Sequence, residues 1–203
     1  MDRSTARETS WTTCSISGHP LQNPISADYL GQLYNREAVV EFLLARNGSF
    51  ADEEAEHRYL NQLRVAGTAF DHLHSLRDIF KVHLTPSPPQ SGEENGSAIN
   101  AAPYMCPLTE LPCTKYPFVA LPSCGHVFSS RAVKQMTDSQ CATCSTAFEE
   151  QDVVPLNGTP EQVQALRDSM DIRRATKKRK GEKKAHKCES VRAHLTSNAD
   201  QAP

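Results

Sequence analysis

Two short motifs, Cys124-Gly125-His126 and Cys141-Ala142-Thr143-Cys144, decide the fold of this chain. Together they offer three thiolates and one imidazole, a donor set that suits tetrahedral zinc. Each pair of donors fits a tight turn, so one cation would tie two turns together. Ordinary buried cysteines are the alternative interpretation. Four donors in two close pairs favour one structural Zn²⁺, with the ligands Cys124, His126, Cys141 and Cys144.

The paired motifs resemble the second metal site of a RING finger, a fold that binds two zinc ions through eight ligands. In this chain, most ligand positions of the first RING metal site hold other residues. Cys106 stands at its first ligand position, but Thr109 stands where the partner cysteine is expected. Serines fill the region of another expected pair, and Cys113 lies at the wrong spacing from Cys106. We therefore expect packing and hydrogen bonds in place of the absent metal, as in SUMO-ligase-type RINGs and U-boxes, around the core candidates Phe118, Val127, Phe128, Val133 and Phe148.

A weak internal repeat indicates that a related small fold precedes the metal-binding one. The motif CSIS at 14–17 resembles CPLT at 106–109, and GQLYNREAV at 31–39 resembles GHVFSSRAV at 125–133. The two offsets, 92 and 94 residues, are nearly equal. The first copy has Cys14 and His19 but no Cys-x-x-Cys motif. We therefore predict a metal-free, U-box-like module in the first half of the chain.

The fold class that follows is α+β, with two small RING- or U-box-like modules, a C-terminal helix and a disordered basic tail. Asn35 is a plausible N-cap for a helix over 36–46, and Thr159, Pro160 and Gln162 predict a second helix start. The expected segments are a disordered N-terminus at 1–10, a U-box-like module at 11–84 with an insertion at 47–66, a disordered linker at 85–103, a zinc-binding RING-like module at 104–158, a helix at 159–176 and a basic disordered tail at 177–203.

The composition points to a partly unpacked chain with unevenly distributed charge. The 203 residues carry a net charge of -2, yet ten of the 22 Lys and Arg residues fall within 173–203. The mean hydropathy is -0.54, and no run of about 18 apolar residues exists, so we expect no contact with a membrane. A basic cluster of this kind predicts nuclear localisation or non-specific binding to nucleic-acid phosphates, through the residues Lys177, Lys178, Arg179, Lys180, Lys183 and Lys184.

A series of motifs occurs in an order that is typical of one protein family. They are Trp11 to Cys14, Pro20-Leu21, Gly31 to Asn35, Ala38 to Leu44, His74 to Asp78, Cys106 to Thr109, Cys124 to Ala132, Cys141 to Cys144 and Val153 to Thr159. Over roughly residues 10–175 this order resembles the replication termination factor 2 family. The resemblance implies a nuclear protein of replication forks, acting in fork pausing and termination, with a variant RING. In some lineages it also implies pre-mRNA splicing.

Three functions remain open from the sequence. We favour a non-catalytic adaptor that binds replication-fork proteins, and a splicing-associated adaptor that binds spliceosome proteins is an alternative. A third candidate is a ubiquitin or SUMO ligase, which would hold a conjugating enzyme and act by positioning. Leu108 fits the apolar contact that such an enzyme needs, although simple loop packing is the slightly favoured explanation. Ala142 and Ser145 replace the proline and the basic residue common in RING ligases, which weakens that hypothesis.

Overall fold

The computed structural model describes residues 3–88, 102–136 and 138–172. It confirms a mixed α and β fold with small sheets and short helices. A first compact unit runs through Gln162, and the last helix continues into a second unit from Val163. In the ranges described, every helix is too short or too polar to cross a bilayer.

The first half of the chain is built on a three-stranded antiparallel sheet. Its central strand is β1, which pairs with β2 through a hairpin and with β3 on its other side. Helix α2 follows β2 directly, and α3 and a short 3₁₀ helix precede β3. The bounds are β1 (Ile25–Asp28), β2 (Leu33–Asn35), α2 (Arg36–Arg46), α3 (Glu53–Ala66), the 3₁₀ helix (Leu76–Asp78) and β3 (Ile79–Lys81).

The second half repeats this topology. Its central strand β6 pairs with β7 through a hairpin and with β8 on the other side, and helix α4 follows β7 directly. Strands β4 and β5 form a separate two-stranded ladder between the halves. The bounds are β4 (Thr85–Pro86), β5 (Tyr104–Met105), β6 (Phe118–Ala120), β7 (Val127–Ser129), α4 (Ser130–Lys134), a 3₁₀ helix (Glu150–Asp152) and β8 (Val154–Leu156).

Two glycines join the halves in a reciprocal way. Gly31, in the first hairpin turn, has φ +84°, and a Cβ there would lie 1.9 Å from the Pro155 carbonyl oxygen on β8. Gly125, in the second hairpin turn, has φ +78°, and a Cβ there would lie 2.3 Å from the Lys81 carbonyl oxygen on β3. The two glycine carbonyls accept equivalent 2.8 Å hydrogen bonds from the amides of Asn157 and His83. Each hairpin turn therefore packs on the third strand of the other half, and only glycine fits there.

The largest core cluster spans both halves. Trp11 is 2% exposed, and its ring meets Phe118 edge-to-face with centroids 5.7 Å apart. Of the five predicted core residues, Val133 is partly buried and the other four are buried. A second cluster lies in the first half and includes Val39, Phe42 and Leu43 of α2, whose helical spacing places them on one face.

The helix predicted over 36–46 is confirmed, but its expected cap is not. Asn35 occupies the N-cap position without a side-chain capping hydrogen bond. Its side-chain amide instead donates to the Pro20 carbonyl at 2.9 Å and accepts from the Gln22 amide at 2.8 Å. Asn35 therefore fixes the loop before β1.

Two segments that the sequence predicts to be disordered contain regular structure where they are described. The N-terminus is helical as α1 (Arg3–Thr12), because buried Trp11 anchors its end and the Asn157 side chain donates to the Ser10 carbonyl at 3.1 Å. The predicted linker begins as strand β4, paired with β5. The remainder of that linker at 89–101 lies outside the described residues, as does the tail from 173.

The C-terminal helix is described over residues 160–172, close to the predicted start. Thr159 and Gln162 form the expected capping box: the Thr159 amide donates to Gln162 Oε1 at 2.9 Å, and the Gln162 amide donates to Thr159 Oγ1 at 3.4 Å. The segment predicted as an insertion contains helix α3, whose first turn is capped by the side chain of Asp52.

Candidate metal centre

The four predicted ligands come together in the second half. The donor atoms of Cys124, His126, Cys141 and Cys144 all lie within 4.8 Å of one another. The Cys141 Sγ lies 3.5 Å from His126 Nδ1. In a tetrahedral site with Zn–S near 2.3 Å and Zn–N near 2.05 Å, that edge is about 3.6 Å. Three thiols and one imidazole in this arrangement fit one zinc ion.

Two tight turns position the donors. In the first, the Leu121 carbonyl accepts from the Gly125 amide at 2.6 Å, and the Leu121 amide donates to the His126 carbonyl at 2.9 Å. In the second, Cys141 makes the same pair of bonds, at 2.7 Å with the amide of Ser145 and at 2.9 Å with the carbonyl of Thr146. Gly125 and Ser145 both have positive φ, at 78° and 56°. The two matching turns carry the four donors.

The same turn recurs at Cys106, where the sequence predicts a lost metal site. Its carbonyl accepts from the Glu110 amide at 2.9 Å, and its amide donates to the Leu111 carbonyl at 3.0 Å. Thr109 Oγ1 and Ser129 Oγ lie 2.9 Å apart. Burial alone would raise the pKa of the Cys106 thiol, but hydrogen bonds from Ser129 and Thr109 outweigh it and lower the pKa to about 7. A hydrogen-bonded cluster of Cys106, Thr109 and Ser129 therefore lies at this turn.

The remaining cysteine of this half takes no part in a ligand group among the described residues. Cys113 is buried, and burial raises the pKa of its thiol to about 11. It therefore behaves as a small core residue.

In the first half, the buried carboxylate of Asp28 joins the hairpin turn to the segment that carries His72. The equivalent segments of the second half carry the metal ligands. Asp28 Oδ1 accepts from the amides of Leu30 at 3.0 Å and Gln32 at 2.8 Å, in the hairpin turn. Its Oδ2 accepts from the Tyr34 hydroxyl at 2.8 Å and lies 2.7 Å from His72 Nε2. Burial and the nearby carboxylate raise the pKa of Tyr34 well above its usual value. This network could not be predicted from the sequence, because a single acid at a strand end carries no distinctive motif.

The thiols of the metal cluster differ in their affinity for protons. Burial, together with hydrogen bonding to the other two thiols, raises the pKa of Cys124 to about 11. Hydrogen bonding to the Thr146 side chain lowers the pKa of exposed Cys144 to about 7. Burial and the neighbouring His83 lower the pKa of His126. The neutral imidazole is the form that binds a metal, and binding would displace the thiol protons.

His83 is a second residue that the sequence did not reveal. Its ring centroid lies 5.3 Å from that of His126, and its amide donates to the Gly125 carbonyl. These two contacts help to position the turn that carries the donors Cys124 and His126. Its sequence neighbours give no ligand spacing, so only the folded chain brings it to the centre.

Of the other predicted site residues, the structure describes Leu108. Leu108 is 49% exposed in the turn that begins at Cys106. The six basic residues of the tail lie outside the described residues, so their predicted role stays a prediction.

Comparison with known proteins matches the family described as Rtf2 RING-finger over residues 1–202. Proteins named replication termination factor 2 are similar: the Mus musculus protein is 35% identical over 191 residues, covering 89% of this chain and 58% of the relative. The Gallus gallus protein is 35% identical over 188 residues, covering 89% and 56%. The Homo sapiens protein is 35% identical over 171 residues, covering 81% and 51%. The chain thus spans between half and three fifths of these relatives' length. With its family match, ordered motifs and clustered ligands, it belongs to the Rtf2 RING-finger family.

Proposed function

We propose that this chain is a nuclear adaptor that acts at replication forks in replication termination. The observation that carries the proposal is the four-donor cluster at Cys124, His126, Cys141 and Cys144, in a chain of the Rtf2 RING-finger family. The relatives' name, replication termination factor 2, supports the fork role. A bound zinc would supply a structural cross-link between the two turns and no reaction chemistry.

The two halves act in this proposal as RING- and U-box-like modules joined into one platform. The shared topology and the reciprocal packing of Gly31 and Gly125 support it. The second half would hold one zinc, while Asp28 and the Cys106 cluster hold the remaining turns without metal. A platform of this kind offers rigid surfaces for protein partners.

The first experiment measures metal and fork pausing in the same set of variants. Cys141→Ser removes a ligand, and Cys113→Ser removes an equally buried cysteine outside the cluster; each side chain is 1% exposed. Elemental analysis should find one zinc per chain in the wild type and in Cys113→Ser, and less in Cys141→Ser. In cells that depend on this chain, only Cys141→Ser should reduce fork pausing at a termination barrier. Equal pausing in both variants would contradict the proposal.

A ubiquitin or SUMO ligase is the second candidate, and the exposure of Leu108 favours it. Leu108 is 49% exposed, whereas its counterpart Ile16 in the first half is 8% exposed. The second half would therefore be the one that docks a conjugating enzyme. Conjugation assays with a panel of such enzymes should show activity that Leu108→Ala abolishes and that Leu60→Ala, at a similarly exposed leucine, preserves. No activity across the panel favours the adaptor.

The nuclear part of the proposal depends on the basic tail. Deletion of residues 173–187, which hold most of the basic cluster, should move a tagged protein out of the nucleus. Unchanged localisation would show that the tail is not required for nuclear import. Loss of salt-sensitive nucleic-acid binding in the same deletion would assign the tail a phosphate-binding role as well.

A splicing-associated adaptor remains the third candidate. Co-purification from nuclear extract separates it from the fork role, because fork proteins and spliceosome proteins give different sets of partners. Recovery of spliceosome proteins alone would replace the fork proposal.

A further inference from the structure

An open apolar groove lies on the second half, away from the four metal donors. Its volume is about 410 Å³, within the range of clefts that hold ligands. Five apolar side chains line the groove, Val119, Val133, Met136, Phe148 and Val153, together with Ser130, Lys134, Ser139 and Glu150. Val119 and Phe148 are buried, whereas Val133, Met136 and Val153 are only partly buried against the core and keep exposed surface in the groove.

The first half has the same surface, and there it is covered. The repeat offset of 94 residues equates Val133 with Val39 and Met136 with Phe42. In the central strands, Ala27 pairs with Phe80 and Ala120 pairs with Val154. When these two pairs are superposed, Val153 of the second half corresponds to Ile79 of the first half. These counterparts, Val39, Phe42 and Ile79, are only 0%, 3% and 7% exposed.

Helix α3 provides the cover. Tyr59, Leu63 and Ala66 of α3 pack against the cluster that contains the three counterparts. The rings of Phe42 and Tyr59 have centroids 5.5 Å apart. Tyr59 and Leu63 are four residues apart, which puts both on the same helical face. The first half therefore covers this surface with the amphipathic helix α3, assisted by Phe70, whose ring centroid lies 5.7 Å from that of Phe42.

The second half lacks room in its sequence for an equivalent helix. The segment between α2 and β3 covers residues 47–78, whereas the segment between α4 and β8 covers only residues 135–153. The 13 additional residues in the first half correspond closely to the 14 residues of α3. The groove thus lies at the position that α3 covers in the first half, and the second half has too few residues there for an equivalent helix.

We propose that this groove binds an amphipathic helix of a partner protein, with an aromatic or aliphatic pair at i and i+4 and basic residues beside the pair. The apolar pair follows from the way α3 fills the equivalent surface. The basic flank follows from Glu150, an exposed acid that lines the groove. Exposed Glu149 and Asp152 lie within two residues of it in the chain, and Lys134 is the other charged residue of the lining. The proposal does not depend on the fork function proposed above.

The chain itself supplies a probe for the test. A synthetic peptide of residues 53–66 carries Tyr59 and Leu63, flanked by Arg58 and Arg64. The full chain has four methionines, so methyl labelling of methionine gives a simple NMR spectrum. Met136 lines the groove, and Met105 lies in β5 and serves as the internal reference.

Titration with the peptide should shift the Met136 methyl signal and leave Met105 in place. A peptide with Tyr59→Ala and Leu63→Ala should bind at least about tenfold more weakly, because it lacks both anchors. Glu150→Lys in the protein should weaken binding by about threefold at low salt, whereas Glu161→Lys, at another exposed acid, should not.

Three results would overturn the proposal. The first is a Met136 signal that stays fixed up to about 1 mM peptide, a concentration that detects even weak complexes. The second is an equal shift of Met136 and Met105. The third is a shift of the Met136 signal when residues 173–203 are deleted and no peptide is added, since the chain's own tail would then occupy the groove in the full chain.

Discussion

Replacing Gly31 by alanine tests the packing that joins the two halves. The new Cβ would lie 1.9 Å from the Pro155 carbonyl oxygen and 3.3 Å from the Leu156 Cα. Gly48→Ala is a matched control, because Gly48 has φ +78°, close to the +84° of Gly31, and nothing within 4 Å of the added Cβ.

The expected magnitudes follow from these distances. A positive φ costs alanine about 1–2 kcal/mol at either position. At Gly31 the turn and β8 must also separate by more than about 1 Å, because real Cβ contacts are essentially never closer than 3.0 Å. That movement breaks the 2.8 Å hydrogen bond from the Asn157 amide to the Gly31 carbonyl, which costs about 1–3 kcal/mol. Gly31→Ala should therefore lose about 2 kcal/mol more than Gly48→Ala.

Urea unfolding of both variants and the wild type measures the difference. We expect the midpoint of Gly31→Ala to fall further than that of Gly48→Ala at an unchanged m-value. Effects on the unfolded chain are shared by the two substitutions and cancel. Losses within about 0.5 kcal/mol of each other would refute the close contact between the hairpin turn and β8.

Three further predictions concern the groups that hold the turns. Chelator treatment followed by reloading should return one zinc per chain to Cys113→Ser but not to Cys141→Ser, as elemental analysis would show; full reloading of both would exclude Cys141 as a ligand. The Cys106 pKa of about 7 lies below its usual 9.0, so its ionisation should stabilise the fold as pH rises from 7 to 9 and should be lost as pH falls through 7. Ser129→Ala should reduce that rise in urea unfolding, and equal pH slopes would contradict it. Asp28→Asn should cost about 1–3 kcal/mol in the same assay, because it weakens four hydrogen bonds to a buried carboxylate; a loss under about 0.5 kcal/mol would show that the network adds little.

The metal centre could be predicted from the sequence because its chemistry is local. Two turns with characteristic spacing carry all four donors, and the fold needs only to bring the turns together. Helix α2 was predictable for the same reason, since its apolar face repeats with helical period. The capping box of Thr159 and Gln162 likewise lies within four residues.

Residues that act across long separations were not predictable. The N-terminus looked disordered because its composition is polar, but Trp11 packs on Phe118 and orders α1. His83 reaches the metal centre only because β3 of one half lies against the hairpin turn of the other. Asp28 and His72 are far apart in the chain and meet in the folded protein at 2.7 Å.

The sequence alone determined the donor set, the repeat and the family resemblance, since each rests on residue identity at short spacing. Only the tertiary structure decided which elements replace the absent metals and how the halves join. It also decided that α3 covers the surface of the first half whose counterpart in the second half stays open. The physical reason is that packing and buried hydrogen bonds depend on the three-dimensional approach of distant segments, which local residue patterns do not encode.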